Sequence, residues 1–158
     1  MLLTFTIPGE PVAQGRGRAV RVGAGVRVID PGKSRSWKGA AQVHMLEALE
    51  RAGLMPGFFV GPVELRVVAV WRCPKGRERK TSPAPRAWKA SRPDCDNVAK
   101  CLMDAANAIL FADDAQVVRL IVEKHVAAQG EEPRVEVQAA FGLPGDAPTT
   151  RFSREFRG

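Results

Sequence analysis

The sequence predicts an α+β domain: a mixed sheet of about five strands with two main helices packed on it. Three patterns carry that prediction. Apolar and polar residues alternate with period two at residues 3–7 and 63–71. Apolar residues recur at helical spacing over 37–49 and again over 98–109. Two more strand-like stretches then follow, at 116–126 and 135–141, so helices and strands interleave within one unit. At 158 residues the chain suits one compact domain with its own core. That domain is expected over residues 1–142, with a flexible C-terminal tail over 143–158 marked by Pro144, Gly145, Pro148 and three arginines.

The elements follow in order. Leu3, Phe5 and Ile7 alternate with Thr4 and Thr6 and stop at Pro8-Gly9. Gln14-Gly15-Arg16-Gly17-Arg18 reads as a flexible basic turn, and residues 26–29 as a short strand before the turn chemistry of Asp30-Pro31-Gly32. Ser34 or Ser36 is the expected cap of a helix with the stripe Trp37, Ala41, Met45, Ala48 and Leu49, closed by Gly53 and Pro56. Val63, Leu65, Val67, Ala69 and Trp71 share one face of a strand. Residues 72–93 have no hydrophobic period and read as a long loop, a length that points to function or disorder. The second helix is expected over residues 96–110, turning Val98, Cys101, Leu102, Ala105 and Ile109 inward. Asp113-Asp114 is the turn into the next strand, and Val135, Val137, Ala139 and Phe141 mark the last one.

Composition excludes several classes. Hydrophobic residues at 45% and charged ones at 26% are globular values, not those of a disordered or fibrous chain. No uncharged apolar run approaches a membrane span and no signal peptide is visible, so the expected location is the cytoplasm. Three cysteines (Cys73, Cys95, Cys101) with two histidines do not give the ligand spacing of a structural zinc site. Gly32-Lys33-Ser34 lacks the upstream glycine of a P-loop, and Gly15-x-Gly17 lacks the third glycine of a dinucleotide fingerprint. Asp94-Cys95-Asp96-Asn97 begins like a calcium loop but lacks its sixth-position glycine and twelfth-position glutamate. No small-molecule organic cofactor is expected.

Charge is unevenly placed within a net +7. Residues 1–45 and 72–92 are strongly basic, whereas residues 93–158 carry an acidic excess. Clustered Lys and Arg attract a polyanion and act mainly on phosphates. The expected nucleic-acid contacts are Arg16 and Arg18 in the first cluster and Lys75, Arg77, Arg79, Lys80 and Arg92 in the second. Neither cluster lies on an amphipathic helix, which argues against a membrane surface.

Beside the second basic cluster stand Asp94, Asp96, Asp104, Asp113 and Asp114. Asp94 and Asp96 are two apart at a helix entrance, and Asp96, Lys100 and Asp104 form one stripe at spacing four. A strand returning beside the helix is expected to bring at least one of Asp113 and Asp114 to the entrance carboxylates. Crowded carboxylates repel unless something neutralises them. Mg²⁺ does so with oxygen ligands, typically one or two carboxylates plus a substrate phosphate. Singly, each residue has a structural alternative: a helix cap for Asp94 or Asp96, an ion pair for Lys100, a polar turn for Asp113-Asp114. Their combination next to the basic loop points to phosphodiester chemistry.

The same residues carry a resemblance. Arg92-Pro-Asp94-Cys-Asp96-Asn97-Val-Ala-Lys100, Met103-Asp104-Ala105-Ala-Asn107 and Asp113-Asp114-Ala-Gln116-Val117 are similar to the signature of RusA-type Holliday-junction resolvases. Gly9-x-Pro11 and Gly15-Arg16-Gly17-Arg18 fit as well, and the match spans residues 3–141. The resemblance implies a small homodimeric, Mg²⁺-dependent endodeoxyribonuclease of bacteria or their phages, with Mn²⁺ as a substitute ion. It implies paired symmetric cuts in a four-way DNA junction during recombination and repair. Asp94, Asp96 and Asp114 become the catalytic metal ligands, with Asp113 beside them, and Lys100 the stabiliser of the transition state. Cys95 replaces the usual aliphatic residue, and Ala108 stands where glycine is common. The alternatives are a nuclease acting on flaps or other branched DNA and a non-catalytic branched-DNA binding module.

Overall fold

A computed structural model describes residues 1–15, 17–29, 32–57 and 59–142. The tail expected over 143–158 and the expected DNA contact Arg16 lie outside the described residues. The strands are β1 (Leu2–Pro8), β2 (Arg18–Val22), β3 (Gly25–Ile29), β4 (Val63–Trp71), β5 (Ala87–Trp88), β6 (Val117–Val126) and β7 (Arg134–Phe141). The two helices are α1 (Gly32–Arg51) and α2 (Cys95–Ala106). Five strands form one mixed sheet in the order β1-β7-β4-β6-β5, and β2 pairs only with β3 as a separate hairpin. The α+β class is thus correct.

β4 and β6 run parallel and every other pairing in the sheet is antiparallel. A parallel pair cannot be joined by a tight turn, so the chain crosses over between them, and α2 is that crossover. The main core lies between the helices and one sheet face. Trp37, Ala41, Met45, Ala48 and Leu49 of α1 and Val98, Cys101, Leu102 and Ala105 of α2 meet Phe5, Ile7, Leu65, Val67, Val135 and Val137 there. Period-two alternation turns Val68 and Val70 to the opposite face, where they form a small cluster with Ala127. Among the described residues no helix is long and apolar enough to cross a membrane.

Four boundaries differ from the sequence reading. α1 starts at Gly32, and Ser34 is buried inside its first turns instead of capping it. β2 was not foreseen, because Ala19, Val20, Arg21 and Val22 are all exposed and no buried face accompanies the alternation. The long loop contains a 3-10 turn, Lys75–Arg77, and the two-residue strand β5, which is set by pairing to β6. α2 ends at Ala106, four residues before the expected end at Leu110. Its C-cap Asn107 is extended (φ −55°, ψ 135°) and Ala108 takes φ +62°. That left-handed conformation suits glycine and costs a residue with a Cβ roughly 1–2 kcal/mol.

Candidate active site and nucleic-acid interface

The entrance of α2 carries the first pair of acids. Asp94 is the N-cap by backbone geometry, yet its side chain makes no capping hydrogen bond. Asp96 stands in the first helical turn and accepts a bond from Asn97 Nδ2 at 3.3 Å. Both acids are exposed, as is Lys100 one turn further on. Lys100 makes no ion pair with Asp96 or Asp104, its neighbours at spacing four. Asp104 instead pairs with Lys38 of α1 at 2.9 Å and serves helix packing. Two exposed hard carboxylates with a lysine one turn away fit the donor set Mg²⁺ prefers: few protein oxygens, with room for water and phosphate.

Two other segments are tied to this entrance, one on each side. The Gln14 N–H donates to the Asn97 carbonyl at 2.8 Å, which seats Gln14 on the first turn of α2. From the other side, Lys124 Nζ donates to the carbonyls of Ser91 (2.9 Å) and Pro93 (2.6 Å), fixing the end of the basic loop beside Asp94. The loop itself is stapled. Gln129 Oε1 accepts from the N–H groups of Arg79 (2.8 Å) and Ala84 (3.3 Å), and its Nε2 donates to the Arg79 carbonyl. Glu131 pairs with Arg86 and Arg134. The Arg86 hydrogen bond is the largest cause that holds the Glu131 carboxyl at about 2. The same bond raises the Arg86 guanidinium, partly offset by burial.

Lys75, Arg79, Lys80 and Arg92 stay exposed on this framework. Arg77 does not share that placement: it is half-buried and donates to the Pro85 carbonyl at 3.2 Å, a strut within the loop. Arg18 begins β2 in the separate hairpin.

The second acidic pair lies elsewhere. Asp113 caps the 3-10 turn Asp114–Gln116: its Oδ1 accepts from the Ala115 N–H at 2.8 Å. Gln116 closes the box, accepting from the N–H groups of Ala112 and Asp113 and donating to the carbonyls of Phe59 (3.0 Å) and Gly61 (2.9 Å). Asp114 is exposed and free of such bonds among the described residues. This turn precedes the first residue of β6, next to the C-terminal end of α2, where Asn107 bridges to Phe111. The α2 entrance, by contrast, is held to Lys124 near the last residues of β6. Helix and strand therefore run antiparallel, and the returning strand delivers Asp113-Asp114 to the wrong end of α2 for the expected meeting. The 12-residue α2, roughly 18 Å long, runs between the entrance acids and the segment that leads to Asp113-Asp114. Accordingly, among the described residues no three His, Cys, Asp or Glu side chains gather so as to hold a metal ion.

A family model described as "Endodeoxyribonuclease RusA" matches residues 8–139. The chain belongs to that family. It is 36% identical over 140 residues to "Uncharacterized protein YqaN" of Bacillus subtilis (strain 168), covering 85% of this chain and 93% of that protein. RusA membership makes the protein a nuclease of the endodeoxyribonuclease class.

Set on the RusA framework, several residues gain roles the sequence reading did not assign. Gln116 was visible only as a motif letter; four hydrogen bonds make it the clamp of the Asp113-Asp114 turn. Gln129 and Glu131 staple the basic loop from more than 40 positions away, a link no local pattern carries. Ala108 was visible as a replacement of glycine, and its positive φ explains why glycine suits that position. Cys95, between the two entrance acids, is an exposed free thiol.

Proposed function

We propose that the protein is a Mg²⁺-dependent, homodimeric endonuclease that resolves four-way DNA junctions by paired symmetric cuts. The observation that carries this reading is the α2 entrance, where Asp94 and Asp96 present exposed carboxylates beside the end of the basic loop. RusA family membership supplies the nuclease class. Asp94 and Asp96 would hold the ion, which when bound supplies Lewis acidity toward a phosphate and lowers the pKa of a coordinated water. Lys100 stabilises the negative charge that develops on the phosphodiester. Lys75, Arg79, Lys80 and Arg92 hold the DNA arms through their phosphates. Asp113 stays a turn cap in this account.

Asp114 lies toward the far end of α2 from the entrance within a chain, so it completes the site only when a second copy supplies it. A two-fold dimer provides that exchange reciprocally and matches the two-fold symmetry of a four-way junction. The bacterial or phage cytoplasm, where such junctions arise, is the corresponding location. Mn²⁺ is the expected substitute ion.

The exposed basic residues Lys75, Arg79, Lys80 and Arg92 would serve a second reading equally, a non-catalytic branched-DNA binder. One assay decides between them: an end-labelled four-way junction, a flap and a linear duplex incubated with the protein, with and without Mg²⁺. The proposal expects paired symmetric cuts in the junction that require the ion. Bound but intact junctions would leave the binder reading standing, and preferential flap cleavage would change the substrate.

A further inference from the structure

Trp88 stands out on the opposite side of the sheet edge from the helices. It is 70% exposed although it is a large aromatic in a chain whose other tryptophans are buried or half-buried. It ends β5 and pairs in register with His125 of β6. One face of the indole stacks on the His125 ring, with centroids 4.3 Å apart and planes at 29°. His125 is braced in turn by Glu123 Oε2 at 3.4 Å, and Glu123 Oε1 accepts from Arg66 at 2.8 Å. Burial pushes the Glu123 carboxyl up, yet the hydrogen bonds from Arg66 and His125 outweigh it and hold that carboxyl below its usual range. The indole is therefore backed by a rigid stack with its outer face open.

The surroundings fit nucleic acid. Trp88 lies within the basic loop, between the stapled Arg86 and Lys89, and at the end of β6 that holds the Ser91 and Pro93 carbonyls beside Asp94. Lys89 is itself held over the Trp71 ring at 5.4 Å, so the cation and the open aromatic face stay separate. An exposed aromatic among lysines and arginines is how a protein stacks an unpaired base while tracking the backbone charge.

We propose that Trp88 is a stacking platform for an unstacked nucleobase of branched DNA and contributes to the choice of junction over duplex. The inference rests on the DNA-junction reading above and adds a residue that selects the branched structure. It concerns binding, so its readout is independent of cleavage and of the metal ligands.

The test uses full-length protein in EDTA, with anisotropy of a fluorescein-labelled four-way junction and of a linear duplex of equal length. Trp88→Ala should weaken junction binding roughly 5- to 150-fold, the loss expected for one stacked base, and leave duplex binding nearly unchanged. Trp88→Phe should recover most of the affinity, since a phenyl ring still offers a π face. Unchanged junction affinity in Trp88→Ala would overturn the inference. So would an equal loss on both DNAs, or a Trp88→Phe variant as weak as the alanine one. A fall in molecular mass of Trp88→Ala with DNA binding intact would assign the indole to a protein interface and overturn it equally. Wild-type protein that binds neither DNA would instead defeat the junction reading itself, together with the platform.

Discussion

The two ends of α2 each carry a pair of neighbouring acids, and they are built on opposite principles. At the entrance, Asp94 occupies a capping position without capping, and Asp96 makes one weak side-chain bond. At the exit, Asp113 is committed to a capping box and Gln116 binds four backbone groups. A carboxylate that satisfies its own backbone stabilises the fold; one that leaves the job to water keeps its charge for a ligand. Similar acidic pairs in the sequence therefore do different work, and the fold assigns each.

That contrast can be broken by substitution, beginning with the largest effect. Asp94→Asn should lower junction cleavage by at least about 100-fold, the scale of losing one electrostatic contact in a transition state. Its stability should hold, because Asn caps as well as Asp and no capping bond is lost. Gln116→Ala should do the reverse in part, costing about 1–3 kcal/mol in urea unfolding by leaving the Phe59 and Gly61 carbonyls without their donor. Cleavage loss from Gln116→Ala with unchanged stability would erase the distinction between the two ends.

The basic loop offers a pH test of how firmly the entrance is framed. Glu131 falls from an ordinary 4.5 to about 2 in the folded chain. Its contribution to stability is therefore full above the unfolded value and is lost as pH falls from about 4.5 toward 2. Melting temperature should drop across that window in the wild type and less so in Glu131→Gln. A parallel drop in both would place the acid sensitivity elsewhere. Smallest of all, Ala108→Gly should relieve the positive φ and raise stability by up to about 1 kcal/mol by thermal melting.

Most of the architecture was legible because it rests on local periodicity. The stripe from Trp37 to Leu49 and the alternations at 3–7, 63–71 and 135–141 each bury the face they imply. The shortfalls have physical causes. β5 exists only through its partner β6, and the hairpin strand β2 buries neither face. The end of α2 was overrun because Ile109 continues the apolar period after the backbone has already turned at Asn107 and Ala108. For the site, spacing placed Asp94, Asp96 and Lys100 at one helix entrance correctly. It could not give the direction of the returning strand, and that direction sends Asp114 to the far end of α2. Arg77 shows the same limit: a basic residue in a basic run, used inside the loop because Pro85 offers it a carbonyl.

In the proposed dimer, the entrance acids of one chain would act with Asp114 of another. Mixing two inactive variants tests this directly. Asp94→Asn and Asp114→Asn proteins, each unable to cut alone, are denatured together, refolded and given a labelled four-way junction with Mg²⁺. In a mixed dimer with shared sites, one site regains both wild-type acids, so single-strand nicks should reappear. If every site were confined to one chain, each mixed dimer would carry one defect per site and the junction would stay intact, contradicting the account.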